Sequence, residues 1–262
     1  MARGIRCPLR KIGNKFTNSL GETITITGDV DYKRVSFVFD NGMTGVLGYQ
    51  HVKNLEFYDW TVPSVCGIGY LGSQIKQRGG VEGQIMKRVY HRWHAMLQRC
   101  YGVLSKLNSY DGSVVCDEWH NFTVFQNWYF SLKQHSKIDW HVDKDLLAGK
   151  RGKLYSPETC LLLPVEINVN LHTQSSSQNK LKTLGVHFNT KTGKYISQCH
   201  RDGKNRMKSH ATLESAKKCY KLEKEKSVRD MAEKFKGELD LRAYEALSSW
   251  ELPEQGEVSL SV

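Results

Sequence analysis

Four polar residues in one short stretch have the types and spacing to do chemistry together: His141, Asp143, Lys144 and Asp145. In an extended strand, side chains alternate between faces, so the histidine and both carboxylates would share one face, opposite the lysine. Two carboxylates on one face can hold a divalent cation, and an imidazole beside them can take a proton from water. The same pattern equally fits a solvent-exposed face on which Lys144 pairs with a carboxylate and His141 is an ordinary surface residue.

The cysteines form no pattern that is typical of a metal site or a disulfide framework. The chain has seven cysteines, and none forms a Cys-x-x-Cys pair. This argues against a disulfide scaffold and a zinc ribbon, and favours free thiols in a reducing compartment. Cys100, Cys116 and Cys160 could meet at a structural zinc, but their irregular spacing argues against one.

The charge of the chain favours a polyanionic partner, and its distribution indicates where that partner binds. Lys and Arg number 38 and Asp and Glu 27, which gives a net charge of +11. Residues 178–236 alone hold 16 basic and six acidic residues, so +10 of the +11 lies there. This concentration predicts a nucleic-acid-binding module. The alternative is a lysine-rich helix surface that is simply solvated.

The elements that must position these residues form an α+β chain of several modules. Hydrophobic residues make up 39% of the chain and charged residues 25%, which is typical of a folded protein with a core. Alternating short strands near the N-terminus predict a small β-barrel or a curled sheet, which either contacts DNA or has a structural or protein-binding role. Farther along, spacings of three and four predict helices from residue 85 and from residue 118. The second helix carries an aromatic stripe that we expect in a core: Trp119, Phe122, Phe125 and Trp128 or Tyr129.

Shifts in composition divide the chain into six segments. They are a β-barrel (1–65), a Gly-rich linker (66–84), a mixed module (85–172), a polar linker (173–179), a three-strand-plus-helix module (180–250) and a disordered tail (251–262). Thr212 is the expected N-cap of the helix in the last module.

The strand from residue 194 to 200 gives the last module two distinct faces. If Ser197 and Cys199 face the helix, then Gln198 and His200 face outward. A three-stranded sheet can press such an outer face into the major groove of duplex DNA. The residues that we expect to contact DNA are His187, Asn189, Lys194, Gln198, His200, Arg206 and Lys208.

The mixed module resembles a known nuclease motif. Its matching residues are Trp93, Arg99-Cys100-Tyr101, Asp143-Lys144-Asp145, the string Tyr-Ser-Pro-Glu-Thr-Cys at 155–160, and Ile167-Asn168. Together they resemble phage-encoded HNH homing endonucleases, in which two strands and a helix form a ββα-metal motif. The resemblance implies a central HNH-like module over residues 85–172.

The last module resembles the three-strand-plus-helix DNA-binding domain of plant ethylene-response factors, an integrase-like fold that also occurs in phage endonucleases. The matching residues are Gly185-Val186, Gly193-Lys194-Tyr195, Thr212, Glu214, Ala216 and Tyr220. The third strand departs from the family, which has Leu-Gly before a Phe where this chain has Met207-Lys208 and His210. Base specificity therefore does not carry over.

The nuclease resemblance implies roles for particular residues and a divalent metal, Mg²⁺ or Mn²⁺. Asp143 falls at the acidic ligand position and Asn168 at the ligand position on the helix, and Asp145 is a further candidate ligand. The position of the general-base histidine falls on Lys144. A lysine, with a pKa of about 10.4, is a poor base at neutral pH. Lys144 is therefore expected to bind phosphate or to pair with a carboxylate, and His141 is the candidate displaced base.

Tyr155 either lies near the metal as an alternative nucleophile or packs the motif. The function expected from both resemblances is metal-dependent hydrolysis of double-stranded DNA by an HNH homing-endonuclease-like protein. The alternatives are a catalytically degenerate DNA-binding or regulatory protein on the same scaffold, and an RNA-binding barrel protein. We expect a monomer or homodimer in the cytoplasm (of the host cell, if phage-encoded), with no membrane partner and no small-molecule cofactor, since neither an apolar span nor a signal peptide is evident.

Overall fold

The computed structural model describes residues 10–73, 80–102, 112–137, 139–148, 152–171, 183–201 and 203–253. The chain forms two compact units, one of Met1–Gln77 with His120–Val124 and the other of Arg78–Trp119 with Phe125–Val262. Helices and open sheets occur together, which confirms the α+β class. The predicted polar linker at 173–179 and most of the predicted tail lie outside the described residues.

The first unit is built on one antiparallel sheet whose strands follow each other in chain order. The strands are β1 (Lys15–Thr17), β2 (Thr23–Asp29), β3 (Arg34–Phe39) and β4 (Thr44–Gly48), and the short helix α1 (Tyr49–Lys53) follows. Alternation along β2 and β3 buries Ile24, Ile26, Val35 and Phe37 completely, because every second side chain faces the core.

The prediction of a closed small β-barrel is wrong, since the sheet is open within the described residues 10–73. The strand order is β1-β2-β3-β4, so β1 and β4 are its two edges. The chain turns into α1 directly after β4. Aromatic side chains cover the buried face instead, with ring centroids 6.2 Å apart for Phe37 and Trp60 and 6.1 Å apart for Phe39 and Phe57.

Part of the Gly-rich segment is folded into this unit. The N–H of Gly72 donates to the carbonyl of Trp60 at 2.8 Å. Gly72 has a φ of +74°, and a Cβ there would lie 1.9 Å from Oδ1 of Asn121. Both the backbone conformation and the close approach therefore require glycine at this position.

The N-terminal part of the second unit alternates helices with very short strands. In chain order these are α2 (Gly80–Tyr101), β5 (Val114–Val115), α3 (Phe122–Ser131, whose first residues cluster with the other unit), β6 (Trp140–Asp143), α4 (Asp145–Ala148), β7 (Leu154–Tyr155), β8 (Leu161–Pro164) and α5 (Val165–Asn170). Strand β6 pairs antiparallel with β8, and β5 pairs parallel with β7. Because α5 follows β8 directly, two strands and a helix are contiguous in space.

The aromatic stripe lies in the core, as its spacing predicts. Trp119, Phe122, Phe125 and Tyr129 are completely buried. The rings of Trp119 and Phe125 meet edge to face, 5.0 Å between centroids. Trp93 of α2 donates its indole N–H to the carbonyl of Trp119 at 2.7 Å, so the aromatic core also fixes α2.

The C-terminal part of the second unit is a three-stranded antiparallel sheet with helices. Its elements are β9 (Val186–Asn189), β10 (Lys194–Arg201), β11 (Lys204–His210), α6 (Leu213–Lys234) and α7 (Leu241–Ser248), with sheet order β11-β10-β9. Val186 and Cys199 of the sheet pack against Ala216 and Tyr220 of α6. Thr212 caps α6 by accepting the N–H of Ser215, which confirms the predicted cap. No helix in the described part of the chain is both long and apolar enough to cross a bilayer.

Candidate active site

One cavity of about 700 Å³ in the second unit collects all the candidate residues for catalysis and for binding Mg²⁺ or Mn²⁺. Its lining includes His141, Asp143, Lys144, Asp145, Tyr155 and Asn168. These residues come from β6, the turn into α4, β7 and α5, which are separated by up to 27 positions in the sequence. The pairing of β6 with β8 and the direct start of α5 after β8 bring them to one place.

His141 and Asp143 share one face of β6, as strand alternation predicts. Asp143 is nearly buried, and its Oδ1 accepts the N–H groups of Asp145 (3.1 Å) and Leu146 (2.9 Å), which caps α4. Burial raises the pKa of Asp143, although the two N–H groups oppose this shift. The carboxylate is therefore fixed in orientation by the backbone while it faces the cavity.

Asp145 does not continue the strand, so the premise that it shares a strand face with Asp143 is wrong. Strand β6 ends at Asp143 and α4 begins at Asp145, which breaks the alternation. The ammonium of Lys144 donates to the Asp145 carboxylate and to the carbonyl of Gly152. It also lies 5.5 Å from the ring centroid of Tyr155. Lys144 is thus a tethered, buried cation, and its charge compensates that of Asp145.

The surroundings of His141 favour the form of the imidazole that can act as a base. Burial lowers the pKa of His141, and the nearby charges of Arg92 and Arg99 lower it further. A lowered pKa favours the neutral imidazole, which can accept a proton.

Tyr155 is buried at the floor of the cavity, where burial raises the pKa of its phenol well above the ordinary value. Arg99 forms a hydrogen bond with the Tyr155 side chain. A phenol held in this way stays protonated at neutral pH, which favours a packing role over a nucleophilic one.

The oxygen donors of the cavity fit a hard divalent ion. Asp143 offers a carboxylate and Asn168 of α5 offers an amide oxygen, whereas the Asp145 carboxylate already binds Lys144. Mg²⁺ commonly retains several waters and takes only one or two protein carboxylates, so this donor set suits it. Within the described ranges, no group of three or more His, Cys, Asp or Glu side chains is arranged to hold a metal.

The cysteines considered for zinc are protonated thiols. Burial raises the pKa of Cys100 and Cys116 to about 11 and that of Cys160 to about 12. Zinc binds the thiolate, so these environments oppose ligation unless the metal itself displaces the protons.

Sequence reasoning missed one whole wall of the cavity, which α2 supplies. The wall consists of Arg88, His91, Arg92, Ala95, Met96 and Arg99. The signal was present as a polar stripe at spacings of three and four. The polar stripe lies beside the apolar stripe of the same helix, from which the helix was predicted.

The three-stranded sheet divides the predicted DNA-contacting residues between its two faces. The cross-strand register places His187 beside Ile196 and Asn189 beside Lys194, on the face that also carries Gln198 and His200. This outer face further includes Asn205, Met207 and Ser209, which the sequence analysis did not select.

Arg206 and Lys208 lie on the opposite face, towards α6, because they pair with Cys199 and Ser197. Lys208 donates to Glu223 of α6 at 3.1 Å, and Arg201 donates to the same carboxylate at 2.7 Å. The structure therefore brings five of the seven predicted residues together and separates the other two from them.

Comparisons of the chain with models of protein families, with curated proteins and with solved structures found no match.

Proposed function

We propose that the protein binds double-stranded DNA and hydrolyses phosphodiester bonds with a divalent metal, in the manner of an HNH homing endonuclease. The observation that carries this proposal is the single cavity in which His141, Asp143 and Asn168 meet beside an arginine-rich wall. A base, oxygen ligands for a hard metal and cations for a phosphate are the groups that phosphodiester hydrolysis needs.

His141 acts as the general base in this proposal. Its imidazole takes a proton from the attacking water, while the Nζ of Lys144 is engaged in donating to the Asp145 carboxylate and the Gly152 carbonyl. Asp143 and Asn168 would hold Mg²⁺ or Mn²⁺. The ion, when bound, supplies positive charge for the phosphate and the leaving oxygen.

Duplex binding is assigned to the outer face of the three-stranded sheet. The face carries Lys194, His187, His200, Gln198, Asn189 and Asn205, which supply a cation and side chains able to hydrogen-bond with base edges. The helix α6 covers the other face, so this outer face is the one that a groove can approach.

A supercoiled-plasmid assay with Mg²⁺ or Mn²⁺ tests the proposal, with the chain's own coding region and its flanks as DNA. Asp143→Asn keeps an oxygen that can accept the N–H groups of α4 but removes the charge. We expect Asp143→Asn to abolish nicking and His141→Ala to slow it by about 10²–10⁴-fold. His135→Ala is the matched control, since His135 does not line the cavity and binds the carbonyl of Leu132. Equal nicking by all four proteins would overturn the assignment of the site.

The second candidate function is a DNA-binding protein without catalysis. It is favoured by the structural tasks of two site residues, since Lys144 neutralises Asp145 and Asp143 caps α4. Plasmid DNA that is retarded in a gel but remains uncut with every divalent ion would support this alternative, provided that the target sequence is present.

A further inference from the structure

The polar face of α2 forms one continuous stripe along the cavity. Arg88, Arg92, Ala95 and Arg99 occupy positions i, i+4, i+7 and i+11, which lie on one side of a helix. All four residues line the cavity that His141 and Asp143 of β6 also line. The small side chain of Ala95 in the middle leaves room for a ligand to approach the helix.

Arg92 ties this stripe to the strand that carries the candidate base. Its guanidinium donates to the hydroxyl of Tyr129 at 2.6 Å and to the carbonyl of Trp140, the residue before His141. The guanidinium carbon also lies 5.5 Å from the centroid of the Tyr129 ring. The stripe is therefore held in a fixed position relative to β6.

The charge around the cavity favours an anion at the stripe. The acidic residues that line the cavity are Asp139, Asp143 and Asp145, and Asp145 is paired with Lys144. Arg88, Arg92 and Arg99 line the cavity together with Asp139 and Asp143, and Asp143 is the candidate metal ligand. Arginine presents a planar fork of donors that matches the oxygens of a phosphate.

The length of the stripe fits a chain of phosphates better than a single one. Eleven residues of helix span about 16 Å at about 1.5 Å per residue. Each strand of a DNA duplex carries one phosphate per about 3.4 Å of its axis. The stripe can therefore contact several successive phosphates of one strand.

We propose that Arg88, Arg92 and Arg99 of α2 bind the phosphate backbone of the DNA strand that is to be cut. The stripe holds this strand against His141 and Asp143, so a phosphate enters the cavity between the two walls. That this strand is the one to be cut rests on the proposed function, whereas binding of the backbone by the stripe requires no hydrolysis.

The test is duplex binding by the full chain in EDTA, followed by fluorescence anisotropy at increasing NaCl concentration. Arg88→Gln and Arg99→Gln each remove one cation from the stripe, and Lys87→Gln is the matched control. Lys87 is the neighbour of Arg88 on the same helix but does not line the cavity. Arg92 is left unchanged because its bonds to Tyr129 and Trp140 support the fold.

We expect each arginine variant to lower the slope of log K against log salt by about 0.9, and the double variant by about twice that. Lys87→Gln should change the slope by less than half as much. Slopes for the arginine variants that equal the Lys87→Gln slope would overturn the inference. If Arg99→Gln fails to fold in a thermal melt, the exposed Arg88 decides the question alone.

The outcomes separate this inference from the proposed function. If the wild type nicks DNA with a metal but the salt slopes of the arginine variants equal that of the wild type, the inference about the stripe is wrong and the proposed nuclease activity stands. If the arginine variants have lower salt slopes but the wild type nicks no DNA, the inference about the stripe stands and the proposed nuclease activity is wrong. A wild type that binds no duplex at all would overturn both.

Discussion

The residues of the candidate site hold the local structure together while they face the cavity. Asp143 caps α4 through two backbone N–H groups, and Lys144 bonds to Asp145 and to the Gly152 carbonyl. Loss of activity in a variant of either residue can therefore follow from local unfolding. Stability and catalysis have to be measured separately at these positions.

Lys144→Met should destabilise the fold by about 1–3 kcal/mol, the usual cost of losing hydrogen bonds from a charged donor. The Asp145 side chain is 68% exposed and can turn to water, so the larger part of the loss comes from the buried Gly152 carbonyl. Urea unfolding measures the change, and Lys87→Met, at an exposed position, should stay within about 0.5 kcal/mol. If the urea midpoint of Lys144→Met equals that of the wild type, the contacts of Lys144 with Asp145 and Gly152 do not stabilise the fold.

Asp143→Asn should stabilise the protein at neutral pH. Because burial raises the pKa of Asp143 in the folded state, the folded chain binds more protons than the unfolded chain above the ordinary carboxyl pKa. The stability of the wild type then falls as pH rises from the ordinary carboxyl pKa through the raised pKa of Asp143. The amide of the Asp143→Asn variant does not titrate, so the variant does not lose stability in this way. Thermal melts in EDTA from about pH 4 to about pH 8 measure the difference, which should grow with pH. A difference that shrinks with rising pH would contradict the sign of the shift.

At the scale of elements, local patterns predicted what local interactions decide. The aromatic stripe from Trp119 to Tyr129 is buried and Thr212 caps α6, because spacing and capping act within one or two turns. The prediction of a barrel was wrong because closure depends on a contact between the first and last strands. The alternation of residues within one strand does not encode that contact. The cationic face of α2 was missed because the apolar residues at spacings of three and four were enough to predict the helix.

Gly185 shows how one residue fixes the packing of α6 on the sheet. Its φ is +62°, and a Cβ would lie 1.9 Å from Cε2 of Tyr220. Gly185→Ala should cost about 2–4 kcal/mol, because backbone strain and overpacking add. Gly193 has a similar φ of +66° with nothing within 4 Å of a Cβ, so Gly193→Ala should cost only about 1–2 kcal/mol. Equal costs in urea unfolding would show that contact with Tyr220 contributes nothing.

For the whole molecule, the sequence supplied the right residues for one wall of the cavity but not the cavity itself. Asp143, Tyr155 and Asn168 came from a motif and His141 from strand spacing, whereas their meeting with α2 depends on the aromatic core. The count of charges in residues 178–236 did not indicate which cations are accessible, for a related reason. Many cations of α6 pair with acids, as Lys221 does with Glu225 at 3.8 Å, so a segment's net charge does not locate its accessible charge.

The two faces of the C-terminal sheet offer the sharpest test of how the molecule meets DNA. Lys194 lies on the outer face, whereas Lys208 faces α6 and donates to Glu223 at 3.1 Å. Lys194→Ala should therefore lower the salt slope of duplex binding by about 0.9, as expected for one lost phosphate contact. Lys208→Ala should lower it less, because its charge is already partly neutralised within the protein. The reverse order in a salt titration would mean that DNA lies along the α6 side, and the outer face would then lose its assigned role.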